Sequence, residues 1–254
     1  MIATFHDLKN ASVFITGGAK GIGGHLTEGF LEQGSKVAFV GRSDATAFVD
    51  KMAAKHGNRP LFIPCDVSDI PALHAAMDRA AQAHGPFNVL VNNAADDTRY
   101  KAEDVTEAVW EKSQSVNLKP YFFACKKAAE MMKSIGGGSI INFSSTSYML
   151  GVPELSTYIS ANAGIMGLTR SLAREWGGHK IRVNALAPGW VMTDRQKELW
   201  VTPESLAAFI ERQCIHEAMQ PEDIVGGVLF LASGISKMMT SQTLVIDGGV
   251  VGSV

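Results

Sequence analysis

The 254-residue sequence has only three cysteines, Cys65, Cys125 and Cys214, and they are widely spaced. An odd, scattered set argues against a disulfide framework and is typical of a reducing compartment. The first ten residues also lack the basic and then apolar pattern of a secretory signal peptide. The sequence therefore predicts a cytoplasmic protein.

Long apolar runs and basic clusters are missing as well. No run approaches the roughly 18 apolar residues that a membrane-spanning helix needs. The 23 Lys and Arg residues nearly balance 25 Asp and Glu, and the seven histidines show no metal-ligand spacing. These absences argue against a membrane, nucleic acid or a metal ion as a partner, and they leave a small molecule as the expected one.

Short apolar runs alternate with helical patterns along the whole chain, with no composition break or internal repeat. The sequence therefore predicts one domain over residues 1–254. Several runs are apolar without alternation, as in parallel strands that are covered on both faces. The candidate strands are SVFIT (12–16), KVAFV (36–40), LFIPC (61–65), NVLVN (88–92), SIINFS (139–144), IRVNAL (181–186) and TLVID (243–247). We expect an α/β fold: a doubly wound, Rossmann-type sheet of about seven parallel strands with helices on both faces.

The stretch 187–221 has the least regular pattern and lies between two candidate strands. A long irregular segment inside a compact domain is usually functional. We expect it to form a substrate lid.

A glycine-rich turn, TGGAKGIG (16–23), follows the first candidate strand and opens the first helical pattern. Glycines allow the backbone to turn tightly and to approach a pyrophosphate, and a helix N-terminus supplies N–H groups to it. A glycine cluster alone is weak support, but its position between strand and helix favours a dinucleotide site.

The second candidate strand ends in Gly41 and Arg42, where an NAD-binding protein would carry a carboxylate for the adenosine ribose. A guanidinium suits a 2′-phosphate, and Lys20 in the glycine turn adds a second positive charge. Each cation alone would more often be a solvated surface residue. Together they favour NADP, with NAD as a possible second cofactor.

Further motifs follow in order along the chain. They are Asp66 and Val67, NNAA (92–95), with Ala95 in place of a usual glycine, Asn117 in SVNL, Ser144 and Ser145, PGWVMT (188–193) and VIDGG (245–249). With the glycine turn, these seven motifs resemble the short-chain dehydrogenase/reductase family over essentially the whole chain. The resemblance implies an enzyme that binds its dinucleotide through Gly17, Lys20, Gly21, Ile22, Gly23, Arg42, Asp66, Val67, Asn93, Tyr158, Asn162, Pro188, Gly189, Val191 and Thr193.

This chain departs from the active-site pattern of the family at one position. The family has a serine, a tyrosine thirteen positions later and a lysine four positions after that. Here Ser145 and Tyr158 keep the spacing, but Asn162 stands where the lysine is expected. The chain is either a variant whose tyrosine is tuned by other means, an enzyme weakened by the loss of lysine, or a dinucleotide-binding module without redox chemistry. We favour the first, because the other motifs are intact.

The missing lysine matters because a phenol with a pKa near 10 is a poor base at neutral pH. A nearby cation favours the phenolate, and oxidised nicotinamide brings positive charge of its own. Asn162 lies one helical turn from Tyr158, so its amide can keep ribose hydrogen bonds but adds no charge. The hypothesis is that Tyr158 removes a proton from the substrate, Ser145 orients the substrate oxygen, and Asn117 holds a water chain to solvent.

Three segments resemble the xylose- and galactose-oxidising branch of the family: 92–100, 144–151 and 201–214. The resemblance implies that an aldose is oxidised at C1 to a lactone. Expected substrate contacts are Asp96, Ser145, Tyr158 and Trp190, and Asp97, Arg99, Trp200 and His216 are further candidates. The alternatives are an NADPH-dependent keto-reductase of an acyl or small carbonyl substrate, or the catalytically impaired module.

Relatives commonly form tetramers. The resemblance implies a homotetramer built on the two long helices that contain Asn117 and Tyr158 and on the last strand.

Overall fold

The computed structural model describes residues 3–252; the predicted domain limits at residues 1 and 254 lie outside the described residues. Within them, seven parallel strands form one sheet in the order β3-β2-β1-β4-β5-β6-β7. The strands are β1 Ser12–Thr16, β2 Lys36–Gly41, β3 Leu61–Pro64, β4 Val89–Asn92, β5 Gly138–Phe143, β6 Ile181–Pro188 and β7 Thr243–Ile246. All seven predicted strands are present, and the expected α/β class is confirmed.

Ten α-helices are found among the described residues. They are α1 Gly21–Glu32, α2 Thr46–His56, α3 Ile70–His84, α4 Glu107–Asn117, α5 Lys119–Ser134, α6 Ser147–Leu150, α7 Ser156–Trp176, α8 Asp194–Leu199, α9 Pro203–Ile210 and α10 Glu222–Ala232. None of them is long and apolar enough to cross a membrane.

The core lies in two layers, one on each face of the sheet. Side chains alternate between the faces along β1, so Val13 and Ile15 join one buried cluster while Phe14 joins the other. Helices α1 and α10 cover the first face, and α3 and α5 cover the second. Coverage on both faces explains why the strands read as continuous apolar runs.

Strand β1 pairs with β2 on one side and with β4 on the other. The chain therefore winds outward in opposite directions from the boundary between β1 and β4. In such sheets ligands bind beyond the carboxyl ends of the strands, where the winding direction reverses. Five of the seven motifs lie at the carboxyl ends of β1, β3, β4, β5 and β6, so the fold gathers them at one edge. Asn117 ends α4, and VIDGG begins in β7.

The family's asparagine is expected in the middle of a helix, but here the helix is interrupted beside it. Asn117 ends α4, Leu118 leaves the helical region with φ −130°, and α5 begins at Lys119. Pro120 has no N–H to continue the helical hydrogen bonds at this point. The interruption places Asn117 at a buried helix end.

Candidate active site

The glycine turn between β1 and α1 is held by a very close backbone contact. A Cβ on Gly23 would lie 1.9 Å from the Gly17 carbonyl oxygen, so only glycine fits there. Gly17 itself has φ +73°, which favours glycine as well. No side chain caps the N-terminus of α1 at Lys20, which leaves the first N–H groups for an anionic ligand. The turn therefore fits a dinucleotide pyrophosphate.

The loop after β4 supports this turn. The Asn93 side-chain amide donates to the carbonyls of Thr16 and Gly17, both at 3.1 Å. The Thr16 hydroxyl accepts from the N–H groups of Asn93 and Ala94, at 2.9 and 3.0 Å. These four bonds tie together the two loops that flank the reversal of strand winding.

The ends of β2 and β3 form the side of the cleft where the adenosine is expected. Arg42 and Lys20 are exposed, and a Cβ on Gly41 would meet nothing within 4 Å. The Asp66 carboxylate accepts from the N–H and hydroxyl of Ser68, at 2.9 and 2.7 Å. These hydrogen bonds lower the pKa of Asp66, with a smaller contribution from the Arg42 charge. Arg42 thus lies close to Asp66, and Val67 beside it is buried.

A cavity of about 460 Å³ lies beyond the carboxyl ends of β4, β5 and β6. It brings together many of the site residues predicted from the sequence: Ile22, Asn93, Asn117, Ser145, Tyr158, Asn162, Pro188, Gly189, Trp190, Val191 and Thr193. The remaining predicted cofactor residues lie outside its lining: Gly17, Lys20, Gly21, Gly23, Arg42, Asp66 and Val67. Those residues belong to the turn and cleft at the ends of β1 to β3.

Ser145 lies on the cavity wall directly after β5. Its Oγ accepts a hydrogen bond from the Ser147 N–H at 3.1 Å. The Ser145 hydroxyl also donates a hydrogen bond to the Tyr158 phenol, and a substrate oxygen bound here would take over this single donor. The neighbouring hydroxyls face the protein instead: Ser144 donates to the Asn162 carbonyl and Thr146 to the Pro188 carbonyl.

Tyr158 and Asn162 both project from α7 into the cavity. Asn162 is only 3% exposed, and its amide donates to the Tyr158 backbone carbonyl at 2.9 Å. A buried amide with this contact is held firmly in place. Asn162 is therefore part of the wall beside the phenol, and it is not a solvated amide on the helix surface.

The pKa of the Tyr158 phenol is raised to about 12. Burial is the largest cause, and the negative charge of Asp97 is the second. Hydrogen bonds from Asn162 and Ser145 favour the phenolate but are weaker than these two effects. The protein alone thus holds Tyr158 as a neutral phenol at pH 7.

The Asn117 side chain is used to hold the loop after β4. Its carbonyl accepts from the Asp96 N–H at 2.8 Å, and its amide donates to the Asp96 carbonyl at 3.0 Å. The amide also donates to the Ser113 hydroxyl at 3.2 Å. Both ends of the side chain are therefore occupied, and Asn117 fixes where the adjacent Asp97 stands.

Asp96 and Asp97 face different environments. Asp97 lines the cavity, whereas Asp96 is not among the lining residues. The Asp96 carboxylate accepts from the N–H and hydroxyl of Thr98, at 3.1 and 2.6 Å. The sequence predicted Asp96 as a substrate contact, but the geometry places its neighbour at the cavity.

Helix α8 is joined to this loop by side-chain contacts. The Arg195 guanidinium donates to Asp97 at 3.1 Å and approaches Asp96 at 3.4 Å. The Gln196 amide also donates to Asp97, while its oxygen accepts from the Trp190 indole at 2.8 Å. We call this set of contacts the Asp97 clasp. It joins the segment 187–221 to the loop after β4 at the cavity.

Aromatic side chains of the segment 187–221 also line the cavity. Trp190 packs edge-on against Phe209 of α9, with ring centroids 5.3 Å apart. The Arg99 guanidinium lies 4.4 Å from the centre of the Trp200 ring, which is a cation–π distance. His216, a further sequence candidate, is exposed and outside the lining.

Sequence reasoning missed Arg195, Gln196 and Ser147. Arg195 and Gln196 lie inside the predicted lid, but nothing in their local pattern indicates a partner. They contact a residue about a hundred positions earlier, since Arg195 and Asp97 are 98 residues apart. Ser147 lies within a segment that was noted for its resemblance, and its position two residues after Ser145 was the available signal.

One group of possible metal ligands occurs among the described residues. Glu28, Glu32 and His56 place ligand atoms within 4.8 Å of one another, outside the cavity lining. The Lys55 ammonium pairs with Glu28, and His56 contacts the same carboxylate. These contacts explain the cluster as an ion-pair network between α1 and α2.

Comparison with known proteins gives consistent matches. A family model described as enoyl-(acyl carrier protein) reductase matches residues 17–251. The probable galactose dehydrogenase GalD of Rhizobium meliloti (strain 1021) is 48% identical over 248 residues, which cover 97% of each chain. A D-xylose 1-dehydrogenase of Caulobacter vibrioides (strain NA1000 / CB15N) is 41% identical over 249 residues, covering 97% of this chain and 98% of that one.

A solved structure agrees with these matches. The 3-oxoacyl-[acyl-carrier protein] reductase from Brucella melitensis ATCC 23457 superposes with a TM-score of 0.87 at 29% identity. The superposition covers 98% of this chain and 93% of that one. The whole chain, including the segment over the cavity, therefore shares one architecture with known proteins.

Proposed function

The chain belongs to the short-chain dehydrogenase/reductase family, and from this premise we propose that it oxidises an aldose at C1 to the lactone. The observation that carries the proposal is that Ser145, Tyr158 and Asn162 line one cavity, together with Asp97, Trp190 and Trp200. The two relatives with the highest identities reported above are named for sugars, galactose and D-xylose. The keto-reductase alternative has support only at lower identity.

Dehydrogenases of this family use nicotinamide cofactors, and the glycine turn and α1 N-terminus fit the pyrophosphate of such a group. When bound, the oxidised nicotinamide accepts the hydride that leaves C1. We assign its ribose to Tyr158 and Asn162, and its carboxamide side to Pro188, Gly189, Val191 and Thr193. These assignments rest on the motif positions and on the shared cavity.

Ser145 and Tyr158 act on the hydroxyl of C1. The Ser145 hydroxyl, positioned by the Ser147 N–H, donates a hydrogen bond to the C1 oxygen and keeps its proton. The Tyr158 phenolate removes the hydroxyl proton as the C1–H hydride departs, which turns the C1–O single bond into the lactone carbonyl. Tyr158 then holds the proton until it passes to solvent.

The phenolate forms without a lysine because other groups favour it. Asn162 donates a hydrogen bond that lowers the pKa of Tyr158, and Ser145 does the same until its hydroxyl turns to the C1 oxygen. The oxidised cofactor would add positive charge. Asp97 opposes them. We propose that Asn162 is a working replacement that holds the wall and the ribose, while the charge comes from the cofactor.

The substrate hydroxyls need polar partners, since burying an unpaired hydroxyl is costly. We propose Asp97 and Trp190 for this role together with Ser145 and Tyr158. Asp97 replaces Asp96 in the proposal because its carboxylate lines the cavity. We also propose that 187–221 is a lid of the single domain, held closed by the Asp97 clasp.

We propose NADP as the preferred cofactor, with NAD as a weaker one. The support is the pair of exposed cations, Arg42 and Lys20, beside an open Gly41. The opposing observation is the nearness of Asp66 to Arg42, which partly neutralises the guanidinium.

We propose a homotetramer. Trp110 on α4 and Phe122 on α5 are 40% and 41% exposed, and β7 lies at the edge of the sheet. An apolar helix face and a free sheet edge are surfaces that a second copy can cover. Light scattering that gave the mass of one chain would refute this proposal. The cytoplasmic location stays a prediction from the sequence, which cell fractionation can test.

The reaction is tested by mixing the enzyme with NADP or NAD and a panel of aldoses that includes galactose and xylose. We expect reduced nicotinamide to appear, together with a lactone that hydrolyses to the aldonic acid. Tyr158→Phe should lower turnover by about a thousandfold, since it removes the general base. Tyr100→Phe, a conservative change outside the cavity lining, serves as the control. Unchanged turnover in Tyr158→Phe would sink the mechanism.

The oxidation rate should rise with pH through the neutral range. Tyr158 acts as phenolate, and its pKa is raised by burial and by Asp97, so raising the pH increases the active fraction. Asp97→Asn removes the like charge and should shift the pH–rate profile to lower pH. Arg195→Gln loosens the same clasp but keeps the Asp97 charge, so it should not produce this shift. Equal shifts in both variants would contradict the electrostatic explanation.

Cofactor preference is tested with Arg42→Ala. We expect kcat/KM for NADP to fall by about 10- to 100-fold, the value of a charged hydrogen bond, and that for NAD by less than about threefold. Arg59→Ala removes an exposed arginine that pairs with Asp50, outside the cleft, and should change neither. An equal fall of kcat/KM with both cofactors would show that Arg42 does not bind the 2′-phosphate.

A further inference from the structure

Ser147 carries the one hydroxyl of the segment 144–147 that the described residues leave without a partner. The Ser144 and Thr146 hydroxyls donate to backbone carbonyls, and Ser145 accepts from the Ser147 N–H. The Ser147 Oγ is buried and has no hydrogen-bond partner within residues 3–252. Ser147 is only 8% exposed, and it lines the cavity.

A second unpartnered polar atom belongs to another residue that lines the same cavity, within the segment 187–221. The indole Nε1 of Trp200 is buried and lacks a partner in the described part of the chain. The matching nitrogen of Trp190 donates to Gln196 at 2.8 Å. The two lid tryptophans therefore differ, because one indole N–H is used by the protein and the other is left over.

Unpartnered buried polar atoms are rare in folded proteins because their desolvation is not repaid. The described residues contain one more, the Nδ1 of His84, but His84 is outside the cavity lining. Ser147 and Trp200 differ from His84 because both line the same cavity. Rotation about χ1 moves the Ser147 Oγ between staggered positions on the cavity wall.

We propose that Ser147 and Trp200 determine specificity by binding two different oxygens of the sugar. This inference rests on the proposed aldose oxidation. Ser147 binds the hydroxyl on C2, because its N–H holds Ser145 and so places it next to the reacting carbon. Trp200 is a donor only, and from the lid it binds an oxygen farther from C1.

The test compares kcat/KM for the best aldose with that for its 2-deoxy form, in which the C2 hydroxyl is a hydrogen. Ser147→Ala should lower kcat/KM about tenfold on the full sugar and less than about twofold on the 2-deoxy sugar, because the lost bond is already absent there. Trp200→Phe keeps the ring and removes the N–H, and should lower both values alike, by about tenfold.

Matched controls separate these effects from general damage. Ser139→Ala removes another buried hydroxyl, which donates to Leu231, and Trp176→Phe alters another buried tryptophan. Neither residue lines the cavity, and neither variant should change the ratio between the two sugars. Ser147→Cys, close in size to the native residue, should repeat the Ser147→Ala pattern if the alanine variant folds poorly.

Thermal unfolding gives a readout that does not depend on activity. Because the Ser147 hydroxyl has no partner in the protein, Ser147→Ala should leave Tm unchanged or raise it. Ser139→Ala should lower Tm, because it leaves the Leu231 carbonyl without its donor. A clear fall of Tm in Ser147→Ala would show a structural role for the hydroxyl and overturn the inference.

The outcomes distinguish the inference from the function on which it rests. If the wild-type protein oxidises no aldose, both the proposed function and the inference are refuted. If the wild type is active but Ser147→Ala loses equally on both sugars, or on neither, only the inference fails. The same holds if Trp200→Phe matches the wild type on both sugars.

Discussion

The Asp97 carboxylate is the group on which the site depends. It accepts hydrogen bonds from Arg195 and Gln196, which hold the segment above the cavity, and its charge raises the pKa of the Tyr158 phenol. One carboxylate thus contacts the segment that we propose as a lid and also affects the ionisation of the proposed base. Asn117 sets its position through two hydrogen bonds to the backbone of Asp96.

This arrangement shows what changes when an asparagine takes the place of a lysine at position 162. An ammonium there would oppose the Asp97 charge directly, whereas an amide offers only a hydrogen bond. Burial and the Asp97 charge therefore favour the neutral phenol at pH 7. In our proposal a positive charge arrives with the oxidised cofactor, so the tyrosine becomes a base only when the hydride acceptor is present.

In the segment 144–147, some hydroxyl groups bond to the protein and one is left for a ligand. Ser144 and Thr146 are used by backbone carbonyls, Ser145 is oriented by one N–H, and Ser147 is left over. A buried hydroxyl group normally has a hydrogen-bond partner in the protein. A buried hydroxyl without one can bond instead to a hydroxyl of the substrate. The same reasoning separates Trp200 from Trp190 on the lid.

The sequence by itself determined the sheet, the glycine turn and the spacing of Ser145, Tyr158 and Asn162. These features depend on residues close together in the chain, where periodicity and turn chemistry act. Only the tertiary structure decided that Asp97 lines the cavity in place of Asp96, and that the helix ends at Asn117. It also decided that Arg195 reaches Asp97 from 98 residues away and that Ser147 lacks a partner. Such pairings depend on where distant loops meet at the edge of the sheet, and no local pattern encodes that distance.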